Sequence, residues 1–328
     1  MNWSIEEKEF ELKYNWKLSR NETTKKTNLF VSCFDGKYTG AGEIAPNIRY
    51  NESPEKIKTE FQELLSDGLT NINEPSIYNT FINKKNISKS LKYGIETALL
   101  SYYFKKINTS FSEYYKINKV ENCSICYTIP IINPNEIKSF ISDYKLNRFK
   151  QLKLKINTEN SIDIIKEVSK YSTLPLLIDA NEAWHDVESL IIFLEKLKKY
   201  NISLIEQPMP DGFREEYIYL KKYSFYPIFA DESIINQTDL EEISKQFDGI
   251  NIKLMKTGGV SKALEILKEA EKFKLQTMIG CMVESTLGIY NAFNLSNLVN
   301  YVDLDGFMLL KNEPFQLLKE QNGIMCIN

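Results

Sequence analysis

Between Gln151 and Leu254 the chain repeats one pattern, a short apolar run that closes on a charged residue. Q-L-K-L-K, L-I-D-A-N, L-I-E-Q-P, F-A-D-E-S and I-N-I-K-L carry Lys153 with Lys155, then Asp179, Glu206, Asp231 and Lys253. From Lys153 the steps between these charges are 26, 27, 25 and 22 residues, room for one strand, one helix and two short loops. Continuous Val/Ile/Leu-type runs are what a parallel strand covered on both faces requires. Charges repeated at the C-terminal ends of such strands predict a (β/α)8 barrel of the TIM type, with its chemistry at one rim.

The rhythm extends in both directions. Ser124–Ile131 reads as a preceding strand, and Gln276–Cys281 and Tyr301–Asp305 as two following ones, which brings the total to eight. Lys153 and Lys155 then lie on the second barrel strand, Asp179, Glu206 and Asp231 on the third to fifth, and Lys253 on the sixth. Glu284 falls just beyond the seventh, and Asp303 and Asp305 on the eighth. Barrel helices are predicted near 134–147, 159–170, 186–200, 214–223, 238–246, 260–273 and 287–298. The N-terminal part has another pattern. Ile5–Leu18, Thr27–Cys33 and Tyr38–Glu43 read as antiparallel strands, with the polar stretch Ser19–Thr27 as a mobile loop carrying Arg20, Lys25 and Lys26. Helices follow from Ser53-Pro54 to about Ser66 and from about Ser88 to Lys106. Strands and then helices without alternation predict an α+β capping domain over 1–120, completed by 311–328, and a catalytic barrel over 121–310.

Composition narrows the function classes. Basic and acidic residues number 41 and 44 and form no long single-sign block, which argues against nucleic-acid binding. Five cysteines, an odd number in a long chain, argue for a reducing compartment rather than a disulfide framework. The first residues lack an apolar signal region, and no run is apolar enough to span a membrane as a helix, so a cytoplasmic location is expected.

Strand residues i and i+2 share a face, so Lys153 and Lys155 project together into the barrel mouth. The second and sixth strands of an eight-strand barrel are diametrically opposed, which sets Lys253 across from that pair. Asp179, Glu206 and Asp231 converge between them. Three carboxylates that close resist joint ionisation without a cation, and an all-oxygen donor set favours Mg2+, one per subunit, over zinc. A divalent ion between opposed lysines suits removal of a proton next to a carboxylate. Lys153 helps hold the charge that develops, while Lys155 and Lys253 act as bases on opposite faces.

The K-x-K of Lys153 and Lys155, D-A-N at Asp179, E-Q-P at Glu206, A-D-E-S at Ala230 to Ser233 and K-x-x-K-x-G-G from Lys253 to Gly259 together resemble the enolase superfamily, muconate-lactonizing subgroup. That resemblance implies a lysine base with Mg2+ and a small-molecule substrate, commonly in a homo-oligomer. One departure is Asn157, where the family often has glycine after K-x-K. The branch with a histidine base on a later strand is disfavoured, because the only histidine, His185, follows the third strand and reads as a surface residue.

Members of the subgroup cycloisomerise muconates, dehydrate to o-succinylbenzoate, racemise N-acylated amino acids or epimerise dipeptides. Asp303 and Asp305, both expected to point inward, suit a substrate ammonium. With G-C-M-V-E-S at Gly280 to Ser285 they resemble the dipeptide epimerases of the subgroup, alanyl-glutamate epimerase among them. The expected substrate is a dipeptide, inverted at the α-carbon of its C-terminal residue through an enediolate. Thr128, Cys281, Met282, Glu284 and Arg20 are candidate substrate contacts, with Glu232 and Asn181 beside the metal ligands and Gln207 a weaker candidate. Cys123 and Cys126 lack a second pair and read as core rather than zinc ligands. A catalytically silent barrel that binds a metal or peptide is the reading from a different class.

Overall fold

Strands β1 (Asn2–Lys17), β2 (Glu22–Phe34) and β3 (Thr39–Ile44) form an antiparallel sheet in chain order in the computed structural model, which describes residues 1–17, 22–234 and 239–328. β1 and β2 pair from Asn2↔Phe34 out to Lys17↔Glu22, with one register shift between Glu11 and Trp16. The stretch expected as a loop is therefore strand from Glu22 onward. Its described residues are polar because the ribbon reaches beyond the core there, with Glu22 to Lys25 exposed.

Helix α1 (Pro54–Ser66) starts where Ser53 accepts the Lys56 N–H and Pro54 occupies the first turn. Helix α2 (Pro75–Ile82) and the short helix α4 (Phe111–Tyr115) were not expected; the latter opens on a capping box of Ser110 and Glu113. Helix α3 (Lys89–Ile107) is buried on nearly every side, because the sheet covers one face and the barrel another. The G-A-G-E of β3 explains the close fit. A Cβ on Gly40 would lie 1.9 Å from the Ala98 carbonyl oxygen, and one on Gly42 2.1 Å from that of Gly94.

After β4 (Asn122–Ser124) come the eight parallel strands β5 (Tyr127–Ile129), β6 (Leu152–Lys155), β7 (Leu176–Asp179), β8 (Ile202–Glu206), β9 (Ile228–Ala230), β10 (Gly249–Lys253), β11 (Gln276–Gly280) and β12 (Tyr301–Asp303). They neighbour one another in sequence order, each followed by helical chain, as the charge-ended runs predicted. The seam between β12 and β5 is drawn together by the Cys126 N–H donating to the Val302 carbonyl (3.3 Å) and the Thr128 N–H donating to Asp305 Oδ2 (2.6 Å). Leu177, Leu204, Phe229 and Met278 fill the barrel interior, with Tyr301 packed against them. This apolar plug supports the charged layer above it. The last strands, β13 (Leu318–Gln321) and β14 (Ile324–Ile327), form a hairpin that pairs with β4, and Leu318 and Met325 belong to the barrel's core. Between the barrel and that hairpin, Phe315 stacks on Phe30 and Lys311 pairs with Glu11 of the capping sheet. No described helix is long and apolar enough to cross a membrane.

The capping domain is fixed to the barrel rim by Glu96 of α3. Its carboxylate accepts the N–H groups of Val260 (2.5 Å) and Ser261 (3.3 Å) at the start of helix Val260–Lys272. A carboxylate there satisfies free amides and complements the helix dipole. Gly259, at φ +150°, lets the two meet, since a Cβ would sit 2.3 Å from Glu96 Oε2. Gly259→Ala should lower the unfolding free energy by about 1–3 kcal/mol in urea titrations. An unchanged midpoint would mean that Glu96 does not hold this position in solution.

Candidate active site

The C-terminal rim gathers its charges through strand register. Lys155 is level with Asp179, Asp179 with Glu206, and Gly280 with both Lys253 and Asp303. Asp179, Glu206 and Asp231 are buried, and each offers an oxygen within 4.8 Å of the others'. Lys153 Nζ is the hub, 2.9 Å from Asp179 Oδ2, 2.7 Å from Glu206 Oε2 and 2.7 Å from Asp303 Oδ2. Lys155 Nζ lies 2.5 Å from Asp179 Oδ2, and Lys253 Nζ 2.8 Å from Asp231 Oδ2. Asn251 donates to Glu206 Oε1 (2.8 Å). Gly280 leaves the room this needs, because a Cβ there would press on the Asn251 amide at 2.5 Å and on Lys253 Cε at 3.1 Å.

These contacts set the charges. Burial works to lower the pKa of Lys153, but Asp179, Asp303 and Glu206 outweigh it and hold the ammonium charged. Burial likewise opposes ionisation of Asp179 and Asp231, and the lysines around each overcome it, so both stay below the ordinary carboxylate range. Glu206, buried and next to Asp179, is pushed up to about 7. Burial and then Asp303 push Asp305 up to about 7, whereas Lys153 holds Asp303 low against its burial.

A cavity of about 510 Å³ opens between this rim and the capping domain. Lys153, Lys155, Asp231, Lys253, Asp303 and Asp305 line its floor, and β6 and β10, which carry the lysines, stand four strands apart in the eight-strand order. Thr128, Cys281, Met282, Asn181 and Glu232 also line it, and the Asn181 amide donates to Glu232 Oε1 at 3.2 Å. Glu284 does not reach it. That carboxylate is buried beneath Met282, whose N–H it accepts at 2.7 Å. Gln207 accepts the Asp231 N–H (2.8 Å) and so fixes the loop after β9. Arg20 lies outside the described residues. Lys25 points away to Glu9, whereas Lys26 lines the cavity and donates to the Pro46 carbonyl (2.5 Å). His185 is exposed, and Cys126 donates its thiol to Asp303 (3.1 Å).

Two residues of the cavity carry no signal in the sequence. Arg49 and Tyr50, on the turn after β3, line the cavity, and Arg49 reaches over to Glu182 (2.9 and 3.1 Å) and Asp211 (3.2 Å) on barrel loops. Nothing local in A-P-N-I-R-Y signals that bridge, which exists only once the two domains meet.

Hard oxygen donors, buried together and flanked by cations, suit a divalent ion such as Mg2+. A parallel eight-strand barrel under an antiparallel cap, with a carboxylate triad and K-x-K at one rim, defines a class of enzyme fold. The enolase C-terminal domain-like family matches residues 136–311, more than half of the chain. An L-Ala-D/L-amino acid epimerase of Maribacter sp. is 30% identical over 95% of this chain and 92% of its own length. A second, from Flavobacterium johnsoniae, is 30% identical over 99% and 96%. A solved enolase family member from Agrobacterium tumefaciens, with homology to dipeptide epimerases and with sodium and L-Ala-L-Glu bound, superposes with a TM-score of 0.89. It is 26% identical and covers 99% of this chain and 97% of its own. The chain belongs to the enolase superfamily.

Glu284 supplies a pH test of the site's foundation. Burial, and then the charge of Glu43, raise its pKa from 4.5 to about 8. A raised carboxyl contributes stability that is complete below its unfolded pKa and is lost as pH rises through the folded one. Between about pH 4.5 and 8 the wild type should therefore lose stability with a slope of up to about 1.4 kcal/mol per pH unit that Glu284→Gln lacks. Parallel stability curves for the two proteins would show that Glu284 ionises normally.

Proposed function

We propose that this protein, an isomerase like its epimerase relatives, is a dipeptide epimerase that inverts the α-carbon of the substrate's C-terminal residue. The observation that carries this reading is the pair Lys155 and Lys253, on opposed strands and lining one cavity above the carboxylate triad. A divalent ion held by Asp179, Glu206 and Asp231 would supply positive charge to the substrate carboxylate and compete for the carboxylates with which Lys155 and Lys253 pair. One lysine, neutral at the start, takes the α-proton from its face, and the other, charged, delivers a proton to the opposite face. Lys153, tied to three carboxylates, stays charged and steadies the negative charge that gathers on the substrate oxygens. The two lysines then hold exchanged protonation states, ready for the reverse reaction.

Asp303 and Asp305 face the same cavity from β12 and the turn beyond it, on the far side of Lys153 from the triad. A substrate ammonium there would meet a carboxylate that burial now keeps partly protonated and would favour its ionised form. Asp303, however, already serves Lys153, and this observation favours a second reading, racemisation of N-acylated amino acids, which bring no ammonium. Asp305→Asn separates the two. An epimerase should lose about tenfold or more in kcat/KM for free-amine dipeptides relative to their N-acetylated forms. An unchanged ratio would favour the racemase. The epimerase itself is tested by incubating L,L- and L,D-dipeptides with Mg2+ in D2O. The α-hydrogen of the C-terminal residue should exchange as the centre inverts, chelation should stop both, and added Mg2+ should restore them. Exchange at no α-carbon across a dipeptide library would refute the reading.

A further inference from the structure

The second lysine of K-x-x-K-x-G-G has no part in the chemistry above. Lys253 and Lys256 sit three residues apart at the head of the short helix Leu254–Thr257, so both reach one side chain, Asp231. They reach it differently. Lys253 faces the cavity and meets Oδ2. Lys256 is absent from the cavity wall and only 1% exposed. Its ammonium donates to Asp231 Oδ1, to the Asp231 carbonyl (2.5 Å) and to the Asn251 carbonyl (3.3 Å). Those two carbonyls belong to Asn251 in β10 and to Asp231 itself, the residue just after β9, so the ammonium is tethered to the backbone at both strands as well as to the carboxylate it grips.

We propose that Lys256 is a positioning residue that confines Asp231 to a single ligating oxygen and thereby sets which divalent ion the site prefers. The inference rests on the reading of Asp179, Glu206 and Asp231 as metal ligands. With Oδ1 committed to Lys256, Asp231 offers a cation Oδ2 alone, which Lys253 can release because it borders open space. Single-oxygen carboxylate contacts suit Mg2+, which holds to a near-octahedral shell of about six ligands. Ca2+ takes about six to eight and gains from a carboxylate that grips with both oxygens. Lys256 thus excludes the larger ion by withholding an oxygen rather than by narrowing the site.

The test is calorimetric titration of the metal-stripped full chain with Mg2+ and, separately, Ca2+. In Lys256→Met, which keeps the stem volume but frees Oδ1, the preference for Mg2+ over Ca2+ should fall by about tenfold or more. Lys256→Gln keeps N–H donors without the charge; it should show a fall of about threefold and serves if the Met variant does not fold. A lysine that only stiffens the fold would weaken both ions alike, so a preference within about twofold of wild type in a folded variant overturns the inference. Wild-type protein that binds neither ion would instead overturn the metal reading, and this inference with it.

Discussion

Four buried lysines crowd one end of the barrel, and the structure depends on each meeting a carboxylate. A buried charge left alone costs several kcal/mol, whereas Lys153, Lys155, Lys253 and Lys256 are each within hydrogen-bonding reach of Asp179, Glu206, Asp231 or Asp303. The neutralised layer can then rest on the apolar plug of Leu177, Leu204, Phe229 and Met278. The same pairing makes the site adaptable. A cation entering among Asp179, Glu206 and Asp231 would take over partners that the ammonium groups hold, and the groups facing the cavity would be the ones to give way.

The cap completes this arrangement from outside. Glu96 binds the helix start next to the Gly258-Gly259 turn, and Arg49 spans from the turn after β3 to Glu182 and Asp211. Both contacts land on segments that follow charge-bearing barrel strands, the Glu96 contact on the helix start beyond β10 and the Arg49 contacts on the loops after β7 and β8. The segment that carries Lys253, Lys256 and the two glycines is thus held from two sides, by Asp231 within the barrel and by α3 above it.

Much of this was legible in the chain because parallel strands buried on both faces cannot hide their pattern. The eight strands, the opposed lysines and the three converging carboxylates follow from apolar runs with charged ends at a regular interval. Legibility failed where a residue's role depends on a partner distant in sequence. Glu22–Lys26 reads as a loop because the tip of a two-stranded ribbon needs no apolar face. Asp305 reads as a strand residue two places after Asp303, yet β12 ends at Asp303 and the Asp305 carboxylate turns to the Thr128 amide across the seam. Glu284 sits in a motif that resembles a substrate-binding segment but faces Glu43 rather than the cavity. Lys256 was visible as a letter in a motif, but its hold on Asp231 was not, because that depends on how one helical turn follows β10.

In the proposed reaction two bases approach one carbon from opposite faces, and single-lysine variants address that most directly. Lys155→Ala and Lys253→Ala, each supplied in D2O with both epimers of an accepted substrate, separate the faces. Each variant is predicted to lose inversion yet still exchange the α-hydrogen of one epimer with retention, and the two variants should choose opposite epimers. If both variants lose exchange with both epimers alike, or both spare the same one, the two lysines do not serve opposite faces and the account is wrong.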